Sequence, residues 1–211
     1  MNNYADRYHE LSDLSNERNE VIMSKIKLWT TQDQRALKEL EANGVYRVNL
    51  RSITKKYDSC SDIYLHAYRW FSKAANNVVP KPEGVEFPVW AALEKELTFG
   101  LIEGQVRFEL EVDSEKVLIF DSGKWDYILN YWYIPKDSKD MEEFGKKLEV
   151  NGIRNKSQVY LTNFYPILKR EVEKSWERLF DPNIKISGQD QATLWEIRSE
   201  WIKDVTYPMQ K

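Results

Sequence analysis

The chain of 211 residues contains one cysteine, two histidines and no apolar run near the length of a membrane span. Each scarcity removes a class of answer. A lone thiol, Cys60, closes no internal disulfide and suits a reducing compartment. His9, His66 and Cys60 are the only soft ligands and none are paired at ligand spacing, so no zinc site is expected, and without EF-hand spacing no other metal is assigned. Cys60 and His66 sit about 1.7 turns apart on one expected helix and point in different directions, which argues against a Cys–His nucleophile. The opening MNNYADRYHELSDL lacks a basic stretch followed by an apolar one, so it reads as no secretory signal, and a cytoplasmic location with no membrane partner is expected. There is no G-x-G-x-x-G, P-loop or G-x-S-x-G motif. A net charge of −3 gives no electrostatic footprint for duplex nucleic acid.

What remains is a composition ordinary for a soluble globular protein, 42% hydrophobic and 31% charged, with one exception. Eight Trp and twelve Tyr exceed what the core of such a chain requires. Some indoles are therefore expected in a cleft, where they can stack on a planar ligand.

The polar residues 1–24 read as an N-terminal extension, and residues 25–211 as a single α+β domain. KIKLWTT is a strand, and the helix after it closes at Asn43-Gly44. VYRVNL is a second strand, and DSCSDIYLHAYRWFSKAANNV a longer helix with Ile63, Ala67, Trp70, Phe71 and Ala74 on its stripe. QVRFELEV alternates as a half-buried strand does, and KVLIF is another. DSGKWDYILNYWYIP reads as a helix running toward Pro135, MEEFGKKLEVNGI as a short helix, and FYPILKREVEKSWERLFDP as one long amphipathic helix. QATLWEI is the last strand, before a terminal helix or turn. Without regular βαβ alternation, a single mixed sheet flanked by helices is expected.

Alternation in QATLWEI puts Gln191, Thr193 and Trp195 on one face and Ala192, Leu194 and Glu196 on the other. The first face is either a ligand platform or an edge strand with its Trp packed under a helix. Asp121, where a strand meets a helix, either caps that helix or lines a cleft. Trp90 and Trp125 are core or stacking residues, and Tyr68 and Arg69 lie off their helix's apolar stripe. The Arg47 guanidinium can hold a phosphate or carboxylate. Trp29, Thr31 and Gln32 are the candidates on the first strand.

KLWTTQ, AYRW, FPVWA, FDSGKWDYILNYWYIP, SWERLFDP and QATLWEI, in that order over residues 27–197, resemble an uncharacterised bacterial and phage family of small domains. The strand–helix opening and the late Gln-Ala strand are also similar to ADP-ribosyltransferase-type folds. That second resemblance implies a catalytic glutamate on the late strand, which stabilises an oxocarbenium-like ribose, and an Arg or His on the first strand, which holds NAD. Here Thr193 stands where the glutamate belongs, and neither Arg nor His follows Lys27 in KLWTTQ. Exchanging the carboxylate for a hydroxyl removes several kcal/mol of transition-state stabilisation. The acids left are Glu196 and Asp121. The resemblance therefore implies a degenerate fold that binds a nucleotide (NAD-, ADP-ribose- or cyclic-nucleotide-like) without turnover, sequestering such a signal in host–phage conflict. The alternatives are an ADP-ribosyltransferase-like enzyme using NAD and a Trp-rich protein-interaction module.

Overall fold

The alternation of QVRFELEV survives folding residue by residue. In the computed structural model, which describes residues 24–51, 53, 61–98 and 100–208, Val106, Phe108, Leu110 and Val112 are wholly buried and the residues between them half-buried. His9, Cys60 and the expected extension before Ser24 lie outside the described residues.

The strands are β1 (Lys25–Asp33), β2 (Val45–Tyr46), β3 (Val89–Ala91), β4 (Gln105–Asp113), β5 (Leu118–Asp121), β6 (Asp190–Leu194), β7 (Ile197–Arg198) and β8 (Ile202–Thr206). The helices among them are α1 (Arg35–Asn43), α2 (Ser61–Ala75), α3 (Ser122–Leu129), α4 (Ser138–Val150), α5 (Gln158–Leu161) and α6 (Pro166–Ser175). The class is α+β, as expected. The strands, however, run antiparallel in three small sheets ordered β1-β4-β8, β2-β7 and β3-β6-β5. The two larger sheets meet at one backbone bridge, in which Trp29 and Ala92 exchange N–H···O bonds of 2.9 and 2.7 Å. Beside it the Thr30 hydroxyl donates to the Trp90 carbonyl at 2.7 Å.

β3 is a wall with two sides. Val89 and Ala91 join Leu28, Phe108, Leu110, Ala192 and Leu194 in an aliphatic core between the sheets, closed by α1 through Ala36 and Leu40. Trp90 points the other way, into a core of rings and aliphatics from α2, α3, α4 and α6. Val48 packs against both.

Several element ends differ from the sequence reading, each for a local reason. α3 stops at Leu129, well before Pro135. Tyr131 N–H donates to the Ile128 carbonyl at 2.9 Å and Trp132 N–H to the Tyr127 carbonyl at 2.8 Å, the paired closure of a Schellman ending. The left-handed position of that ending, φ 59°, is occupied by Tyr131 where glycine is usual. Its ring stacks on Tyr160 at 4.8 Å, burial that offsets the backbone cost. The expected long helix from FYPIL to ERLF is α6 followed by a tighter 3₁₀ stretch at Trp176–Phe180. VYRVNL contributes only two strand residues, and the C-terminal segment ends as strand β8, not helix.

Candidate functional site

QATLWEI folds as strand only to Leu194; the chain bends at Trp195 and resumes pairing at Ile197. Ala192 and Leu194 enter the aliphatic core, as alternation requires. Thr193 and Trp195 are buried on the other side, and the Trp195 indole N–H donates to the Val79 carbonyl at 2.8 Å. The space beside them, lined by Ala75, Val79, Leu118 and Thr193, measures about 10 Å³. That holds one water at most. These two residues are thus packed under a helix, the second of the two readings their alternation allowed. Gln191 is half-buried opposite Phe120.

Trp90, Trp125 and Tyr68 do come together, but inside the molecule. Trp90 stacks on Trp125 at 4.7 Å, and Tyr68 meets both edge-on at 5.6 and 5.5 Å. Phe71 and Phe120 close the cluster. The faces a planar ligand would need are occupied by other rings. Arg69 is exposed on the opposite side of α2 from Ala67 and Phe71.

Asp121 caps α3, accepting from Lys124 N–H at 3.3 Å. It also accepts from the backbone N–H groups of Ile186, Ser187 and Gly188 at 2.8 to 3.2 Å, and from the Ser187 hydroxyl. Burial alone would raise its carboxyl; these donors outweigh burial and hold it below the usual carboxylate range. The loop it fastens runs so close that a Cβ on Gly123 would lie 2.9 Å from Ser187 N. Asp121 is therefore a clamp between two segments, with its acceptor capacity already used.

On β1, Trp29 donates to Glu109 at 3.3 Å. Gln32 bridges the Tyr46 hydroxyl (3.3 Å) to the Thr30 hydroxyl (2.7 Å). The Thr31 hydroxyl is buried without a hydrogen-bond partner among the described residues. One residue past Tyr46, on the other side of the ladder, Arg47 reaches Glu196. Its Nε and Nη2 donate to one carboxylate oxygen at 2.9 and 2.8 Å, and Nη1 donates to the Glu83 carbonyl at 3.2 Å. Arg198 takes the other oxygen through Nε and Nη2, both at 2.7 Å. Glu196 is 3% exposed, whereas the Arg47 and Arg198 side chains keep 39% and 48% of their surface in solvent. Each guanidinium carries five N–H donors in a fixed fork, so both retain N–H groups for an anion. Of the residues singled out in the sequence, Arg47 and Glu196 are a pair that chemistry can use. Arg198 went unnoticed, although the arrangement Glu-x-Arg on one strand face carries the signal.

A second grouping lies on α2 and α5. His66 Nε2 and the Tyr160 hydroxyl are 2.7 Å apart, and the Lys169 ammonium sits over the Tyr160 ring at 4.5 Å. Burial lowers the His66 imidazole and raises the Tyr160 hydroxyl. The sequence reading also passed over Ile167, which stands off the inward stripe Leu168–Val172 of α6 and lines an open hollow of about 520 Å³ with Val150 and Phe164. Among the described residues no cluster of three metal-ligating groups occurs and no helix is long and apolar enough to cross a membrane.

No curated protein and no solved structure matches the chain. A family model described as a domain of unknown function (DUF3841) matches residues 27–203, and the chain belongs to that family.

Proposed function

We propose that the chain binds a phosphate-bearing, nucleotide-like ligand without turning it over, and that Arg47 and Arg198 hold the anion. The observation that carries this reading is the pair of half-exposed guanidiniums closed on one buried carboxylate. Arg198 Nη1 also lies 3.8 Å from the exposed Glu200 carboxylate, so two cations meet two acids here, and it is the N–H groups the guanidiniums have left that match phosphate oxygens. The same clamp argues against catalysis by Glu196. All four of its short contacts are to cationic N–H groups, so its charge is already answered and is not aimed at a developing oxocarbenium. The base and ribose would rest on surface groups near this pair, since the interior indoles are taken. A role in sequestering a nucleotide signal in host–phage conflict goes with this reading; the motif resemblance motivates it.

A second reading, an ADP-ribosyltransferase-like enzyme using NAD, is favoured by one feature. β1 and β6, the counterparts of the two functional strands in that resemblance, flank the same short strand β3. One panel separates the readings. Millimolar NAD, ADP-ribose or a cyclic nucleotide should raise the melting temperature of the wild-type chain by several degrees, and Arg198→Ser should remove the shift. Mass spectrometry should find no nicotinamide released from NAD. Release that Glu196→Gln abolishes would establish the enzyme instead. No shift with any of these ligands would dispose of both nucleotide readings.

A further inference from the structure

One partner in the arginine cluster is held far more loosely than the others. Arg198 is fixed on two sides. Its Nε and Nη2 donate to Glu196 at 2.7 Å, and its guanidinium carbon lies 5.8 Å from the centre of the Trp201 ring, within cation–π reach. Glu196 and Trp201 are both buried. The third contact of Arg198, from Nη1 to the Glu200 carboxylate, spans 3.8 Å, longer than a hydrogen bond, and 66% of the Glu200 side chain is in solvent. Given that Arg47 and Arg198 hold a phosphate, as proposed above, we infer that Glu200 is a tethered counter-ion which an incoming phosphate displaces and which keeps carboxylate ligands out, so that it sets the specificity of the site.

The backbone around Glu200 limits where its carboxylate can go. Ser199 N–H donates to the Gly44 carbonyl at 3.0 Å, and the Ser199 hydroxyl to the Leu40 carbonyl at 3.2 Å. Glu200 follows in the 3₁₀ stretch Ser199–Trp201, and Ile202 beyond it pairs with Leu110 in the β4–β8 ladder. With both flanks anchored, only the side chain is free to swing. Among the described residues its carboxylate has no other ion-pair partner than Arg198. A group on so short a tether competes as if present at about millimolar concentration or more. A free carboxylate offers Arg198 the charge and the two oxygens that Glu200 already offers, and loses its freedom in solution besides, so exchange gains it nothing. A phosphate brings about two charges and three acceptor oxygens, enough to answer both guanidiniums, which stand side by side on Glu196. An exposed ion pair is weak, so displacing Glu200 should cost the ligand only about two- to fivefold in affinity.

Titration calorimetry of the full chain with inorganic phosphate tests this. The wild type should bind it, Arg198→Ser should not, and Glu200→Gln should bind it about two- to fivefold more tightly. That gap should close as salt is added. The same ratio is expected with ADP-ribose, because Glu200 meets the phosphate and not the base. Acetate should displace phosphate from Glu200→Gln more readily than from the wild type, by about the same factor. Glu149→Gln removes an equal charge from α4 and should keep the wild-type affinity. Glu149 and Glu200 are exposed, so unchanged melting curves confirm that both variants fold. Binding that Arg198→Ser abolishes and Glu200→Gln leaves unchanged or weakens overturns the role of Glu200, while the phosphate reading stands. An equal gain in Glu149→Gln overturns it too, since net charge would then be the cause. So does acetate that binds the wild type as tightly as phosphate does. If neither the wild type nor Glu200→Gln binds phosphate or ADP-ribose, the phosphate reading itself fails, and the role of Glu200 with it.

Discussion

The two sides of β3 hold the chain together in different ways. On one, Leu28, Val89, Val106, Leu110 and Ala192 are interdigitating aliphatic groups whose only demand is volume. On the other, Trp70, Trp90, Trp125, Tyr131, Tyr160 and Trp176 contact one another edge-on or stacked, and many bring polar tips that must be answered. The Trp176 indole N–H donates to the Trp132 carbonyl at 2.8 Å, and that of Trp132 to the Ser157 hydroxyl at 3.1 Å. The first core is specified by alternation along strands. The second is specified by hydrogen bonds between loops and rings, and it absorbs the indoles that composition alone assigned to a ligand cleft.

The largest effects should come from removing one residue on each side. Trp176→Ala and Phe108→Ala should each cost about 3–5 kcal/mol in urea unfolding, with Trp176 at the upper end because the Trp132 carbonyl loses its donor. Since β3 walls both cores, circular dichroism and tryptophan fluorescence should report one coincident transition in each variant. Two separate transitions in Phe108→Ala would break the comparison into independent units.

A smaller loss is expected at the clamp beside the aromatic side. Asp121→Ala leaves the Ile186, Ser187 and Gly188 N–H groups without their acceptor and should cost about 3 kcal/mol at neutral pH. Its carboxyl titrates below the unfolded value, so its contribution is complete above about pH 4 and is lost as the pH falls through the lowered pKa. Thermal melts of wild type and variant should therefore converge in acid. A gap that stays constant with pH would mean the carboxylate charge plays no part.

The smallest effect sharpens the point about polar tips. Trp195→Phe removes the donor of the Val79 carbonyl and should cost about 1–2 kcal/mol. Trp90 carries a buried indole N–H with no partner among the described residues, so Trp90→Phe relieves an unmet donor while losing some volume and should fall within about 1 kcal/mol of wild type. Equal losses in the two variants would show that the rings contribute through packing alone.

The strand residues were the most legible part of the fold. QVRFELEV announces its buried face, and Asn43-Gly44 ends α1 where the turn chemistry says it must, with Gly44 at φ 70°. Element ends set by distant contacts were not legible: α3 closes on a tyrosine because Tyr160, 29 residues on, offers its ring. The candidate site was half legible. Arg47 and Glu196 both stood out, but their pairing joins residues 149 apart, which no local pattern reveals.

By itself, then, the sequence determined the α+β class, the buried faces of the long strands, that no disulfide closes within these 211 residues and membership of a family of unknown function. Those follow from local periodicity and composition, which each segment carries with it. The tertiary structure decided which aromatic rings are interior, that Asp121 is spent on a loop, that two arginines close on Glu196, and that Phe164 and Ile167 remain in water. Burial and pairing across the chain depend on what the other segments bring to the same place, and no single segment contains that.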